Sequence, residues 1–167
     1  PVATSFPAFR SYQREEAWTW EHLALTRARP VTGDPALGAD VEAFRRELLD
    51  EPRDRAKILA DTAEMRERIA AAKPAAGAWE PKIGPGRLQD IELLAQAAAL
   101  IAGDPARRAP DQLAAGVRAG WLTEAEAETL CDGYRLMWQL QCAARLLTGE
   151  TLDVDAVGEG GRSFLLR

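Results

Sequence analysis

Thr123-Glu-Ala-Glu-Ala-Glu-Thr-Leu-Cys-Asp-Gly-Tyr-Arg-Leu-Met-Trp-Gln-Leu-Gln-Cys-Ala-Ala-Arg-Leu-Leu147 decides the fold. Thr123 and Glu126 have the spacing of a capping box, in which each side chain satisfies the other residue's backbone N–H. Leu130, Tyr134, Met137, Trp138 and Gln141 then recur at helical spacing, and Gly149 supplies a stop. The stretch predicts one long helix, about Glu124 to Leu147.

The same punctuation recurs upstream. Ser5 and Pro7 open a segment that predicts one helix to about Arg29, ended by Pro30. Its apolar residues fall on two sides: Phe9, Trp20, Leu23, Ala24 and Ala28 against Trp18 and Leu25. That pattern predicts a helix central to a bundle. Asp34-Pro35 starts a second helix to about Leu49, and Asp50-Glu51-Pro52 breaks it. A third runs from about Arg53 to Lys73, with Ile58, Thr62, Met65, Ile69 and Ala72 on one face. Residues 74–87 read as a long loop, of the kind that is often functional. A fourth helix covers about Leu88 to Ala102, and a short fifth starts at Pro110 and ends near Gly120. The expected fold is all-α, a single bundle of about six helices across 1–167, with a mobile tail over 150–167. The chain opens on Pro1 and stops after Phe164-Leu165-Leu166, so a piece of a longer polypeptide is expected.

Composition agrees. Thirty-two alanines and few β-branched or aromatic residues favour helix. Twenty-one basic against 26 acidic residues give a net charge of −5, which disfavours a general nucleic-acid binder. No apolar run approaches the ~20 residues that span a bilayer, and no signal peptide is recognisable, so no membrane role and a cytoplasmic location are expected. Cys131 and Cys142 lie ~16 Å apart along one helix, too far for a disulfide, and are expected as buried thiols. His22 is the only histidine, which leaves little material for a metal site or a catalytic triad.

Two stretches carry candidate chemistry. The first, Arg14 to Pro30, mixes Trp18 and Trp20 with acids and arginines. Arg27 and Arg29 fall ~200° apart on a helix and form no single clamp. Glu21 and Arg27, six apart, are not helix neighbours. The choice is between a core helix with paired edges and arginines aimed at an anionic ligand or partner. The second is Lys82-Ile-Gly-Pro-Gly-Arg-Leu-Gln-Asp-Ile-Glu92. A glycine loop entering a helix exposes N–H groups to an anion, with Lys82 adding charge. Its spacing matches neither Walker A nor GxGxxG. Asp90 and Glu92 point ~160° apart and cannot chelate one magnesium ion from a regular helix. We expect no metal and no catalytic residue in this chain.

Together these stretches resemble the bacterial glutamine synthetase adenylyltransferase family. The resemblance rests on Tyr12 to Pro30 and on Lys82 to Gln96, with Met65-Arg66-Glu67-Arg68-Ile69 fitting a third motif, and it spans about Phe6 to Leu166. The family has two halves, one adenylylating glutamine synthetase and one removing the adenylyl group. Each half pairs a nucleotidyltransferase domain with a helical domain. The Trp18-Thr-Trp-Glu-His22 form resembles the adenylylating half. Arg87 stands where the family usually shows glycine, and the Gly-Ser and Asp-x-Asp signature of the nucleotidyltransferase domain is absent.

The resemblance therefore implies a helical accessory domain that is inactive alone. ATP and magnesium would bind the nucleotidyltransferase domain, with glutamine synthetase and the PII signalling protein as partners. Carried over by position, Trp20, Glu21, Gly84, Gly86 and Gln96 are motif residues. Arg27, Arg29, Lys82, Asp90 and Glu92 are candidates to face the cleft or a partner, and Lys82, Asp90 and one of the two arginines are expected near the catalytic domain. The alternatives are a pure interaction module for PII or glutamine synthetase, and the equivalent domain of a PII uridylyltransferase.

Overall fold

The computed structural model describes residues 3–73, 77–150 and 152–165. Among them are eight helices and no strand: α1 (Phe6–Glu15), α2 (Thr19–Leu25), α3 (Pro35–Asp50), α4 (Arg55–Ala72), α5 (Leu88–Ala102), α6 (Ala109–Arg118), α7 (Glu124–Leu147) and α8 (Gly158–Leu165). Most starts follow the caps written in the sequence. Ser5 Oγ accepts from Ala8 N, and Asp34 accepts from Ala36 N at 2.7 Å. The Thr123–Glu126 box closes in both directions, at 3.2 and 2.8 Å. Gly103, at φ 63°, ends α5 in the left-handed conformation that glycine adopts without steric cost.

The expected first helix is two. Glu16 caps α1, Ala17 N reaches back to Tyr12 O, and Trp18 is extended. The Glu21 carboxylate accepts from Trp18 N at 2.9 Å and so serves as the cap of α2. A local carboxylate satisfies the backbone here, so the helix need not continue. The break turns Trp18 and Trp20 outward, 64% and 46% exposed. The segment is therefore not the centre of the bundle.

That place belongs to α5, which packs against α2, α3, α4, α6 and α7. Ala95, Ala97, Ala98 and Ala99 are fully or almost fully buried, and small side chains let neighbouring backbones approach. One part of the core joins Leu23, Leu49, Ile58, Ala97 and Leu100, and a second joins Ala95, Leu113 and Ala127. Phe6 and Phe9 meet Phe44 edge-on, at 6.2 and 5.9 Å between centroids, and fasten α1 to α3.

Two further expectations change. The 24-residue α7 outruns its partners, the 15-residue α5 and the 10-residue α6. Its expected core stripe is therefore only partly covered: Trp138 is exposed, and the other four residues are half-buried. For the same reason Cys142 is exposed and Cys131 only half-buried, so neither is a fully buried thiol. The expectation of a mobile tail over 150–167 stays open: within it α8 lies against α7, and Thr151, Leu166 and Arg167 lie outside the described residues. So do positions 74–76 of the expected 74–87 loop. No described helix is long and apolar enough to cross a membrane.

Candidate functional site

A polar cluster fixes the end of α2, and the surface sites are arranged around it. Arg45, on α3 and only 2% exposed, donates from Nε to Leu25 O at 2.9 Å and from Nη2 to Pro105 O at 2.9 Å. Nη2 also donates to Thr26 O. Buried Gln112 donates to Thr26 Oγ1 at 3.1 Å and to Ala106 O at 3.0 Å. Arg107 donates to Ala28 O at 2.9 Å and to Glu42. The carbonyls that a short helix leaves unpaired at its end are thus taken by arginines from α3 and from the α5–α6 loop. Burial pushes the Glu42 carboxyl up, but Arg46, Arg107 and Arg45 outweigh burial and hold it below the ordinary carboxylate range.

One cleft, of about 450 Å³, opens between α2 and α4. Trp18 and Trp20 stand on one wall, Met65 and Asp61 on the other. Thr19 Oγ1 donates to Asp61, and Lys57 Nζ reaches the same carboxylate at 2.7 Å. These bonds hold Asp61 below the ordinary carboxylate range. His22 forms the floor. Arg53 donates to its Nδ1 at 2.9 Å, so Nε2 carries the proton and donates to Gln13 O at 2.8 Å. Burial lowers the imidazole pKa and Arg53 adds to the effect, while the Gln13 carbonyl opposes it.

The candidate residues named from sequence do not form one site. Arg27 Nη1 pairs with Glu92 at 3.1 Å, joining the end of α2 to α5. Asp90, two residues earlier on α5, turns the other way, accepting from Arg66 Nε on α4 at 2.8 Å and from Gly86 N at 2.9 Å. Lys82 lies in a separate hollow with Trp79, Gln141 and Arg145. Arg29 is exposed and has no ion pair among the described residues. Trp20 lines the α2–α4 cleft, and Glu21 also accepts from Tyr12 Oη at 2.7 Å. Gln96 is half-buried on α5.

The glycine loop is closed on itself rather than open to an anion. Lys82 N and Ile83 N donate to Glu80 Oε1, and Gly86 N donates to Asp90. Arg87 N, Leu88 N and Gln89 N go to Gly84, Pro81 and Lys82 carbonyls. Arg87, the departure from the family pattern, is the scaffold. Its guanidinium donates to Gly77 O at 3.0 Å, to Ile83 O at 3.2 Å and to Glu80 O. Gly84 and Gly86, at φ 138° and 70°, allow the turn, and a Cβ on Gly84 would meet the Arg87 side chain at 3.0 Å.

Sequence reasoning missed Arg45, Arg53, Arg107 and Gln112. Each looks like an ordinary surface residue in its own helix or loop. Only the tertiary fold brings it to carbonyls or to a ring nitrogen far away in sequence.

Comparison with known proteins gives two family models. That described as GlnD PII-uridylyltransferase matches residues 56–154, and that described as glutamate-ammonia ligase adenylyltransferase matches residues 1–44. Three similar curated proteins are all named bifunctional glutamine synthetase adenylyltransferase/adenylyl-removing enzyme. That from Brucella suis biovar 1 is 38% identical over 100% of this chain and 17% of its own length. Its counterpart in Rhizobium meliloti is 43% identical over 92% of this chain and 16% of its own length. In Rhodopseudomonas palustris strain TIE-1 the values are 40%, 95% and 17%. The chain therefore spans about a sixth of the length of these relatives.

Proposed function

The chain belongs to the GlnD PII-uridylyltransferase family, and we propose that it is the helical accessory domain of an enzyme that adenylylates glutamine synthetase and, in its other half, removes the adenylyl group. The observation that carries this reading is the identity to bifunctional adenylyltransferases along the whole chain, over only 17% of the relative's length. Although the uridylyltransferase model covers residues 56–154, that alternative is the weaker one, because residues 1–44, with the Trp18 to His22 motif, match the adenylyltransferase model and the relatives aligned along 92–100% of the chain are named adenylyltransferases.

In this reading the nucleotidyltransferase domain binds ATP and magnesium and performs the transfer. Asp90 and Glu92 do not suit that ion: they leave α5 in different directions, and each is taken by an arginine. We assign the helices the task of walling the cleft and placing the protein substrate or the PII regulator, in the cytoplasm. The assignment to the adenylylating half rests on the Trp18 to His22 form.

Two kinds of candidate residue separate on structural grounds. Arg27, Asp90 and Glu92 are engaged with neighbouring helices or the loop, the solvent-reached Arg27–Glu92 pair more weakly than Asp90, which also accepts from Gly86 N. Lys82 and Arg29 are exposed and unpaired among the described residues, which leaves them available to another surface. A second reading, a pure interaction module, is favoured by the exposed Trp18 and Trp20 beside the α2–α4 cleft. Exposed aromatics beside a cavity suit a protein anchor.

In the complete enzyme, Lys82→Ala with Arg29→Ala tests the first reading, and Trp18→Ala with Trp20→Ala the second. Turnover lost with partner binding intact in the Lys82/Arg29 variant supports the cleft role. Binding of glutamine synthetase or PII lost in the tryptophan variant supports the module. Unchanged turnover and binding in both variants contradicts both readings.

A further inference from the structure

A second cavity, of about 480 Å³, lies where the end of α2 meets the start of α6 and the middle of α7. Its charged lining is Arg27, Arg107 and Arg108 with Glu92 and Asp111. Glu92 pairs with Arg27 and Glu42 pairs with Arg107, which leaves Arg108 as the one arginine of the three with no carboxylate partner among the described residues. Tyr134 and Trp138 complete the wall. We propose that this cavity binds a phosphate group, either free or as a monoester whose organic part lies on Trp138. The inference rests on the side chains of the cavity and is independent of the family reading.

Three roles follow from the geometry. Arg107 is a fixed wall, because Ala28 O and Glu42 already hold its guanidinium. Arg108 has no ion pair or side-chain hydrogen bond among the described residues. It precedes α6 without capping it, so its planar fork is free for an anion. Arg27 is held by Glu92, but the pair is open to solvent on the arginine side, which is 48% exposed. A solvent-reached pair is weak, and a doubly charged phosphate competes with one carboxylate for the same fork. Glu92 is therefore the internal competitor of the ligand.

The Tyr134 hydroxyl lies within the influence of Glu92, Arg27 and Arg108. Burial and Glu92 push its pKa up while Arg27 and Arg108 draw it down, so the phenol remains a hydrogen-bond donor beside the arginines. A phosphate, with three free oxygens, has acceptors for Arg108, a released Arg27 and the phenol, all of which line the cavity. The half-exposed Trp138 face offers stacking to an aryl or other flat ester group, without requiring one.

The test is calorimetric titration of this chain at low ionic strength with inorganic phosphate and with phenyl phosphate, circular dichroism confirming that each variant is folded. Arg108→Ala is expected to weaken phosphate binding by about tenfold, the loss of one charge-assisted contact. Glu92→Gln is expected to tighten it by roughly two- to fivefold, because Arg27 is released. A purely structural Arg27–Glu92 pair would not produce that gain. Arg68→Ala, in the separate α2–α4 cleft, is expected to leave phosphate binding unchanged. Phenyl phosphate binding more tightly than phosphate, with the advantage lost in Trp138→Ala, identifies an aromatic monoester; equal affinities identify the phosphate group alone. The proposal is overturned if wild-type chain binds neither probe, if Glu92→Gln fails to tighten binding, or if Arg68→Ala weakens it as much as Arg108→Ala does.

Discussion

Single residues set the stability of this domain where charge is buried. Arg45 carries three backbone carbonyls from two segments remote in sequence. Its removal takes a donor from each of those oxygens, of which Leu25 O keeps Ala28 N, and leaves Glu42 short of a partner. Arg45→Ala is expected to destabilise the chain by about 3 kcal/mol in urea denaturation, the scale of a broken buried ionic network. His22 gives a pH signature. Its folded pKa lies below the ordinary 6.5, so the unfolded chain binds the extra proton more readily. Its contribution to stability is complete above 6.5 and is lost as the pH falls from there through the folded value. The groups around it are Arg53, the Gln13 carbonyl, Glu21 and Glu51. Stability is expected to drop between pH 7 and pH 5, and the drop is expected to flatten in His22→Gln. The lowered carboxyls, Glu42, Asp61 and Glu126, act only below the ordinary carboxylate range near 4. An unchanged slope in the variant would place the titration elsewhere.

Helices are legible in this sequence where their signals are local. Asp34-Pro35, Thr123 with Glu126, and Gly103 are caps written within one turn, and the corresponding ends fall within a residue or two of expectation. The break between α1 and α2 was not legible. Glu16-Ala17-Trp18 contains no glycine or proline, and the carboxylate that caps α2 sits three residues later, inside an unbroken helical pattern. Burial along α7 was not legible either, because periodicity marks a face but not how far the neighbouring helices extend along it. Helix packing supplies a paired prediction. A Cβ at Gly116 would sit 2.9 Å from Ala98 Cβ and 3.1 Å from Leu122 Cδ1, where α6 lies against the alanine face of α5. A Cβ at Gly133 on α7 would meet only Ile91 Cδ1, at 3.4 Å. Thermal unfolding should show Gly116→Ala destabilised by about 1–3 kcal/mol. Gly133→Ala should be neutral, or stabilised by up to about 1 kcal/mol through helix propensity. Equal effects at the two positions would contradict the close α5–α6 approach.

The candidate site was legible as a set of residue types but not as a place. Arg27, Asp90 and Glu92 stood out by sequence, and the fold distributes them over two sides of α5. In the proposed function, which side meets the nucleotidyltransferase domain depends on that domain's surface, and no spacing within 167 residues encodes it. At the scale of the whole molecule the proposed function is a division of labour: an all-α body, with Asp90 and Glu92 each paired to an arginine, beside a domain proposed to perform the chemistry. The direct measurement is transfer of radiolabelled AMP from ATP to glutamine synthetase. It is made with this chain alone, with the nucleotidyltransferase domain alone, and with the two joined. The account predicts no transfer by this chain alone and a full rate only from the joined protein. Transfer by this chain alone, or an undiminished rate from the nucleotidyltransferase domain without it, would contradict the account.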